Sequence, residues 1–197
     1  MEFQDVVRRR RMVRNFDDRP LSPDIVERII DNGLRAPSAG FTQGSAFLVL
    51  EGGAETSRFW DATFESASAR VSFRRQGLFA APLLIVCLSH RDAYLDRYAE
   101  PDKGWTDRSE SHWPVPYWDI DAGFAALSML LTAVDLGLGA LFFAVFEVAR
   151  FRTAFGVPDA YTPVGAVAVG YPLPDEPSAS LARGRRPLDE VVHRGRW

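Results

Sequence analysis

Asp121-Ala-Gly-Phe-Ala-Ala-Leu-Ser-Met-Leu-Leu-Thr-Ala-Val-Asp135-Leu-Gly137-Leu-Gly139-Ala-Leu-Phe-Phe-Ala-Val145-Phe-Glu147-Val-Ala149 is apolar enough and long enough to suggest a membrane span, and its reading decides the fold. Asp135 sits in its middle, Gly137 and Gly139 break its periodicity, and Asp121 and Glu147 flank it. A helix over 121–135, buried in a core or a subunit interface, followed by a buried strand at about 140–146, fits these interruptions better than a span. The pair Gly137-Leu138-Gly139 invites a dinucleotide-binding reading. That reading fails because the third glycine is missing and the glycines follow a helix instead of a strand.

Working outward, residues 148–155 predict a short helix and 164–170 another strand, while 47–51 and the unbroken apolar run 82–88 predict two more. Phe3, Val6 and Val7 lie at helical spacing within 2–12, so a first helix delivers a basic run at its end. Ser22-Pro23-Asp24 combines an N-cap, a Pro at the first helical position and an acid in the first turn; Ile25, Ile29 and Ile30 carry that second helix to about Leu34. Residues 54–78 read as a helix. Residues 90–118, rich in aromatic, charged and prolyl residues, read as a long excursion, and 173–197 as an extended tail. With no repeat and no linker, the expectation is one domain over 1–197. Few strands, long helices and no regular alternation predict an α+β fold.

The chain has 197 residues, 47% of them hydrophobic, and a net charge of −3, which argues against a nucleic-acid partner. The single cysteine, Cys87, lies in an apolar run, so no disulfide framework is expected. The basic run at the N-terminus is followed by Asn-Phe-Asp-Asp and not by an apolar segment, so the expected location is the cytoplasm. His90, His112 and His193 show no metal-ligand spacing, and His90 and His193 read as surface residues. Ser38 follows a proline with no base beside it and no Gly-x-Ser-x-Gly elbow, which leaves nucleophilic catalysis unsupported.

Five arginines fall within seven positions in Arg8-Arg9-Arg10-Arg11-Met12-Val13-Arg14, which closes on Asn15-Phe16. Crowded guanidinium groups repel one another, and a multivalent anion such as phosphate relieves the repulsion through bidentate hydrogen bonds. Solvated surface is the alternative, because Lys103 is the only lysine and arginine is this chain's default cation.

Arg10-Arg11-Met12-Val13-Arg14-Asn15-Phe16 resembles the Arg-Arg-Ser-x-Arg-x-Phe opening of the nitroreductase family of flavoproteins. Ala36-Pro37-Ser38-Ala39-Gly40-Phe41-Thr42-Gln43 resembles that family's Ala-Pro-Ser-x-x-Asn-x-Gln loop. Asp121-Ala122-Gly123, Leu136-Gly137-Leu138-Gly139, Gly170-Tyr171-Pro172 and the terminal Trp197 extend the resemblance nearly end to end. It implies a central mixed or antiparallel sheet flanked by helices, a long buried helix at a homodimer interface, FMN as cofactor and NAD(P)H as transient reductant. The flavin performs the chemistry, so no catalytic side chain and no metal are expected.

By the same resemblance, Arg10, Arg11, Met12 and Arg14, with Arg183 and Arg185 of the tail, hold the phosphate and the N1/C2 edge of the flavin. Pro37, Ser38, Ala39 and Gly40 line it from the second subunit. Phe142, Phe143, Ala144 and Val145 pass by the ring, with a main-chain N–H near Ala144 or Val145 reaching N5. Arg8 and Arg9 fall outside the motif, and Arg74 and Arg75, just before a strand, either face the flavin edge or end a helix in solvent, the second being the expectation.

Three departures stand out: Met12 replaces a phosphate-binding Ser, Phe41 an Asn, and Gly44-Ser45 a frequent Pro-Trp. Phe41 either walls the substrate pocket or packs beneath its loop. The excursion is either a substrate cover, with Tyr98, Lys103 and Trp113 as contacts, or a dimer-contact loop. The implied activity is NAD(P)H-dependent reduction of a nitroaromatic, quinone or similar conjugated acceptor by ping-pong hydride transfer. The alternatives are a specialised flavin reaction such as dehalogenation or oxidative dehydrogenation, or a flavin-binding protein with little turnover.

Overall fold

Leu83–Ser89 is buried along its whole length and is the axis of the fold. A computed structural model describes residues 1–197. In chain order the elements are α1 (Phe3–Arg9), α2 (Pro23–Leu34), β1 (Ser45–Glu51), α3 (Gly52–Thr63), α4 (Ala67–Val71), β2 (Leu83–Ser89), α5 (Arg91–Ala99), α6 (Tyr117–Asp135), β3 (Gly139–Phe143), α7 (Val148–Phe155), β4 (Thr162–Gly170) and α8 (Leu188–Val191). Single-turn 3-10 segments stand at Ala39–Phe41, Gln76–Ala80, Glu110–His112 and Ala179–Arg183.

The four strands form one sheet in the order β1-β2-β4-β3, with every ladder antiparallel. Side chains alternate across a strand, so β2 serves two cores at once. Leu84, Val86 and Leu88 join Phe59, Trp60 and Phe151 on the side covered by α3 and α7. Leu83, Ile85 and Cys87 join Val26, Ile29, Met129 and Ala133 on the side covered by α2 and α6. Covering both faces explains why the run 83–89 is apolar without alternation. The α+β class expected from the sequence is what the structure has.

The apolar stretch resolves as a helix and a strand joined by a tight turn. Asp135 ends α6 and takes a 2.6 Å salt bridge from the Met1 ammonium. Gly137 adopts φ 75°, and the Leu138 N–H donates back to the Ala133 carbonyl at 2.8 Å, which closes the helix and aims the chain into β3. No helix is long and apolar enough to cross a membrane.

Several boundaries differ from the sequence reading. The first helix stops at Arg9, so the rest of the basic run is extended. The helix expected over 54–78 is three pieces: Phe64 is extended at φ −92°, ψ 143°, and the Ser66 hydroxyl accepts from the Ala69 N–H to start α4 afresh. The first third of the excursion is a helix, α5, capped by His90, whose Nδ1 accepts from the Ala93 N–H at 2.9 Å. His90 therefore has a structural partner, and its ring also lies 4.7 Å from that of Tyr161. Ser22 caps α2 with its carbonyl alone, because its side chain makes no capping bond.

Candidate functional site

Past α1 the chain is stitched along the open edge of β3. Met12 bridges Ala140 in parallel register, the Val13 N–H donates to the Ala140 carbonyl at 3.0 Å, and Phe16 pairs with Pro172. Val13 and Phe16 point into the core. Arg10, Arg11, Met12 and Arg14 are left to line a cavity of about 490 Å³, together with Asp175, Ser178 and Arg185 from the tail. Arg74 and Arg75 take the carboxylates of Glu176 and Asp175, so Arg10, Arg11, Arg14 and Arg185 have no ion pair of their own. Unpaired guanidinium groups around a cavity are suited to a phosphate. Arg183 does not line this cavity: Gly184, at φ 69°, turns the chain between it and Arg185.

A second cavity of about 620 Å³ shares Arg14 and Ser178 with the first. Its walls are mainly apolar and aromatic: Trp60, Phe64, Phe73, Phe142, Phe143 and Ala144. Trp60 stacks on Phe143 at 5.2 Å and 23° between ring planes, which fixes that wall. Val145 is buried in the core instead of lining the cavity. Arg75 also lines it and so departs from the expected solvated helix end toward the alternative held beside it; Arg74 is the exposed one of the two. A cationic mouth joined to a flat-walled apolar chamber matches the chemistry of a phosphorylated planar cofactor such as FMN.

The loop of Pro37, Ser38, Ala39 and Gly40 lies elsewhere on the protomer and lines neither cavity. Pro37 and Ser38 border a separate cleft of about 180 Å³ beside Asp121. Gly40, Phe41 and Gln43 all have positive φ, at 62°, 55° and 54°, so the loop is a strained structure that its surroundings must hold. Asp121 is the holder. It is 4% exposed, and its Oδ2 accepts from the Ala39 N–H and the Tyr94 O–H, each at 2.8 Å. Burial, and then the hydrogen bond to Asp121, push the Tyr94 phenol well above its ordinary pKa, so it stays a donor.

The excursion buttresses the same loop. Arg97 Nε donates to the Gly40 carbonyl at 3.0 Å, and Arg97 is held in turn by Asp102 at 2.7 Å, which lowers the Asp102 pKa. Tyr98 packs on Trp113 at 4.4 Å and on Trp105 at 4.8 Å, and the Lys103 ammonium lies 5.2 Å over the Tyr98 ring. Tyr98, Lys103 and Trp113 thus form a cluster against one another. Phe41 is 78% exposed and does not pack beneath its loop.

Two carboxylates that organise the site escaped the sequence reading as site residues. Asp121 had a signal, an acid at the head of an otherwise apolar helix run. Asp175 had none, because its role depends on where the tail crosses the N-terminal segment.

The nitroreductase family model matches residues 7–171. An NADPH-dependent oxidoreductase of Staphylococcus aureus is 28% identical over 196 residues, covering 98% of this chain and 73% of that protein. A nitroreductase family protein of Clostridium difficile superposes with a TM-score of 0.75 at 23% identity, each chain covered completely. A protein of Exiguobacterium sibiricum, described as a nitroreductase and solved in complex with FMN, gives a TM-score of 0.74 at 20% identity over 98% of this chain and 97% of that one.

Proposed function

The chain belongs to the nitroreductase family, and from that premise we propose that it is an FMN-dependent NAD(P)H oxidoreductase whose acceptor is a nitroaromatic, quinone or similar conjugated molecule, reduced by a ping-pong mechanism. The observation that carries this reading is the junction of the two cavities at Arg14 and Ser178, arginine-lined on one side and aromatic on the other. Arg10, Arg11 and Arg185 would hold the phosphate. Met12 costs a hydroxyl there, a loss of about 1.5 to 3 kcal/mol that the remaining arginines offset. Arg14 and Arg75 would sit at the ring edge on which negative charge accumulates, and Phe142, Phe143 and Ala144 would bound the ring itself. Held there, FMN would supply the hydride-transfer chemistry between reduced nicotinamide and the acceptor, with protons available from water.

The loop of Pro37, Ser38, Ala39 and Gly40 would reach that cofactor in a homodimer, supplied by the second copy, which is compatible with its lining neither cavity of its own chain. Phe124 and Leu127 on α6 are 44% and 46% exposed and give such a dimer an apolar face to bury. Phe41, standing free of its loop, would then wall the acceptor pocket. A cytoplasmic location fits the reductant.

The test is the visible spectrum of the purified protein before and after FMN is added, with NAD(P)H consumption followed in air, with and without a nitroaromatic. A yellow protein that bleaches with NAD(P)H and recovers with acceptor supports the reading. A colourless preparation that takes up no FMN overturns it. Arg10→Ala combined with Arg185→Ala is expected to release FMN; retention unchanged in that variant would misplace the phosphate.

A further inference from the structure

We propose that Asp175, which is paired with Arg75 at the ring-side cavity, offsets part of that cation's charge and so holds down the reduction potential of the bound flavin. The proposal rests on the flavin reading above.

The geometry is a clamp. The segment after β4 runs antiparallel to residues 13–17: the Asp17 N–H donates to the Tyr171 carbonyl at 2.9 Å, the Leu173 N–H to the Asn15 carbonyl at 3.0 Å, and Asn15 Nδ2 to the Pro174 carbonyl at 2.7 Å. This zipper ends on Asp175. Its Oδ2 accepts from the Arg14 N–H at 2.8 Å and its Oδ1 from Arg75 Nη1 at 2.9 Å, while the same Nη1 also reaches the Glu176 carbonyl at 3.0 Å. The Asp175 and Arg75 side chains are 15% and 17% exposed. A pair this sheltered is poorly screened by solvent and salt, unlike the Arg74–Glu176 pair beside it, whose side chains are both more than 70% exposed.

The placement gives the clamp its consequence. Arg75 and Arg14 line the apolar cavity, whereas Asp175 lines the arginine-rich one. At their junction the charges of Arg14 and Arg75 are opposed by the sheltered Asp175 and, 3.8 Å from Arg75 but largely exposed and so better screened, by Glu176. Reduction adds negative charge to a flavin, so the two cations favour the reduced state and Asp175 opposes it. Asp175 also ties the tail that carries Arg185 to the backbone of Arg14, which couples the phosphate grip to the ring cavity.

The test is the midpoint potential of FMN bound to Asp175→Asn, measured by equilibration with a reference dye, alongside the dissociation constant of oxidised FMN. Asparagine keeps the shape and an acceptor for the Arg14 N–H while removing the charge; its amide nitrogen then faces Arg75, whose Nη1 keeps the Glu176 carbonyl. The expected result is that binding of reduced FMN strengthens about tenfold relative to oxidised FMN, an upward shift of about 30 mV for the two-electron couple. Arg75→Gln should move the potential down by a similar amount, and the double variant should return close to wild type. Weaker FMN binding with an unchanged potential would reduce Asp175 to a tether for the tail and overturn the proposal; so would a downward shift in Asp175→Asn. If wild-type protein takes up no FMN, the flavin reading itself fails, an outcome separate from either of these.

Discussion

Asp121 supplies the sharpest prediction about the loop. One oxygen of a carboxylate 4% exposed accepts from a backbone N–H on the loop and from the hydroxyl of Tyr94, itself fully buried. Asp121→Asn keeps an acceptor in place but removes the charge. Hydrogen bonds to a charged group are worth about 1.5 to 3 kcal/mol and neutral ones about 0.5 to 1.5, so two weakened bonds cost about 2 kcal/mol. Relief of the carboxylate's desolvation returns part of that, leaving a net cost of about 1 kcal/mol. Asp121→Ala instead strands both donors in the interior, at about 1 to 3 kcal/mol each, for a net loss of about 3 to 4 kcal/mol. For a chain of this length each kcal/mol moves Tm by about 2 to 4 °C, so the alanine variant should melt about 6 to 16 °C below wild type and the asparagine variant within about 4 °C of it. Urea unfolding of the FMN-free protein measures both. Tyr94→Phe completes a double-mutant cycle with Asp121→Ala, with an expected coupling of about 1 to 2 kcal/mol. Equal losses in the asparagine and alanine variants, or strict additivity in the cycle, would refute the claim that this carboxylate holds the loop through its two acceptor bonds.

Gly40→Ala puts a side chain at φ 62° and its Cβ 2.7 Å from Cε2 of Tyr98, so it should cost about 2 to 4 kcal/mol by thermal melting and weaken FMN binding through the displaced loop. Phe41→Ala removes a ring that is 78% exposed, so it should leave Tm within about 2 °C while changing KM for an aromatic acceptor; a large loss of stability would show that the ring is packed in the native assembly. Burial pushes the Cys87 thiol up from 9.0 to about 12. A group whose pKa is raised on folding contributes its stability in full below its unfolded value, so this contribution is present at neutral pH and is lost as pH rises from about 9 to about 12, at up to about 1.4 kcal/mol per pH unit. The same burial predicts no reaction with a thiol reagent at pH 8 until denaturant opens the core. Prompt labelling of the native protein would contradict it.

What the sequence revealed followed from how local each cause was. The stretch from Asp121 to Ala149 was legible because Asp135 and Gly137 act where they stand: the first ends a helix and the second takes the left-handed conformation that closes it. The run at 83–89 was legible because a strand covered on both faces needs apolar side chains throughout. By contrast, α5 was hidden because a histidine caps it, and because its buried Tyr94 and Leu95 are adjacent instead of helically spaced. The break at Phe64 was hidden because Phe64, Phe73 and Phe79 meet edge to face or tilted only after the chain has folded back on itself, at 5.5 to 5.7 Å between rings. Periodicity over 54–78 registers the aromatic positions and not the reversal that brings them together.

The arginine run shows the same division inside the site. Its composition announces an anion, but which arginines serve it is decided by the extended conformation after Arg9 and by the edge of β3, which turns Val13 and Phe16 inward. The counter-charges come from far along the chain. Asp175 meets Arg14 across 161 positions, and Asp121 meets Ala39 across 82. Each of these carboxylates lies under a mobile-looking sequence, one a proline-rich tail and the other a glycine-containing loop, and each converts it into a fixed wall by taking two hydrogen bonds. On the proposed function, removing either charge perturbs a different half of the cofactor site. Asp175 acts on the arginine half within the same protomer, with the potential as its readout. Asp121 acts on the loop half, with stability as its readout in the absence of cofactor. Measuring both variants in both assays separates the two halves: Asp121→Asn should shift the potential of bound FMN less than Asp175→Asn does, since the Asp121 carboxylate meets the cofactor only by way of the loop that the second copy would supply. A shift as large as that of Asp175→Asn would place the Asp121 carboxylate within close electrostatic reach of the flavin and dissolve the division between the two halves.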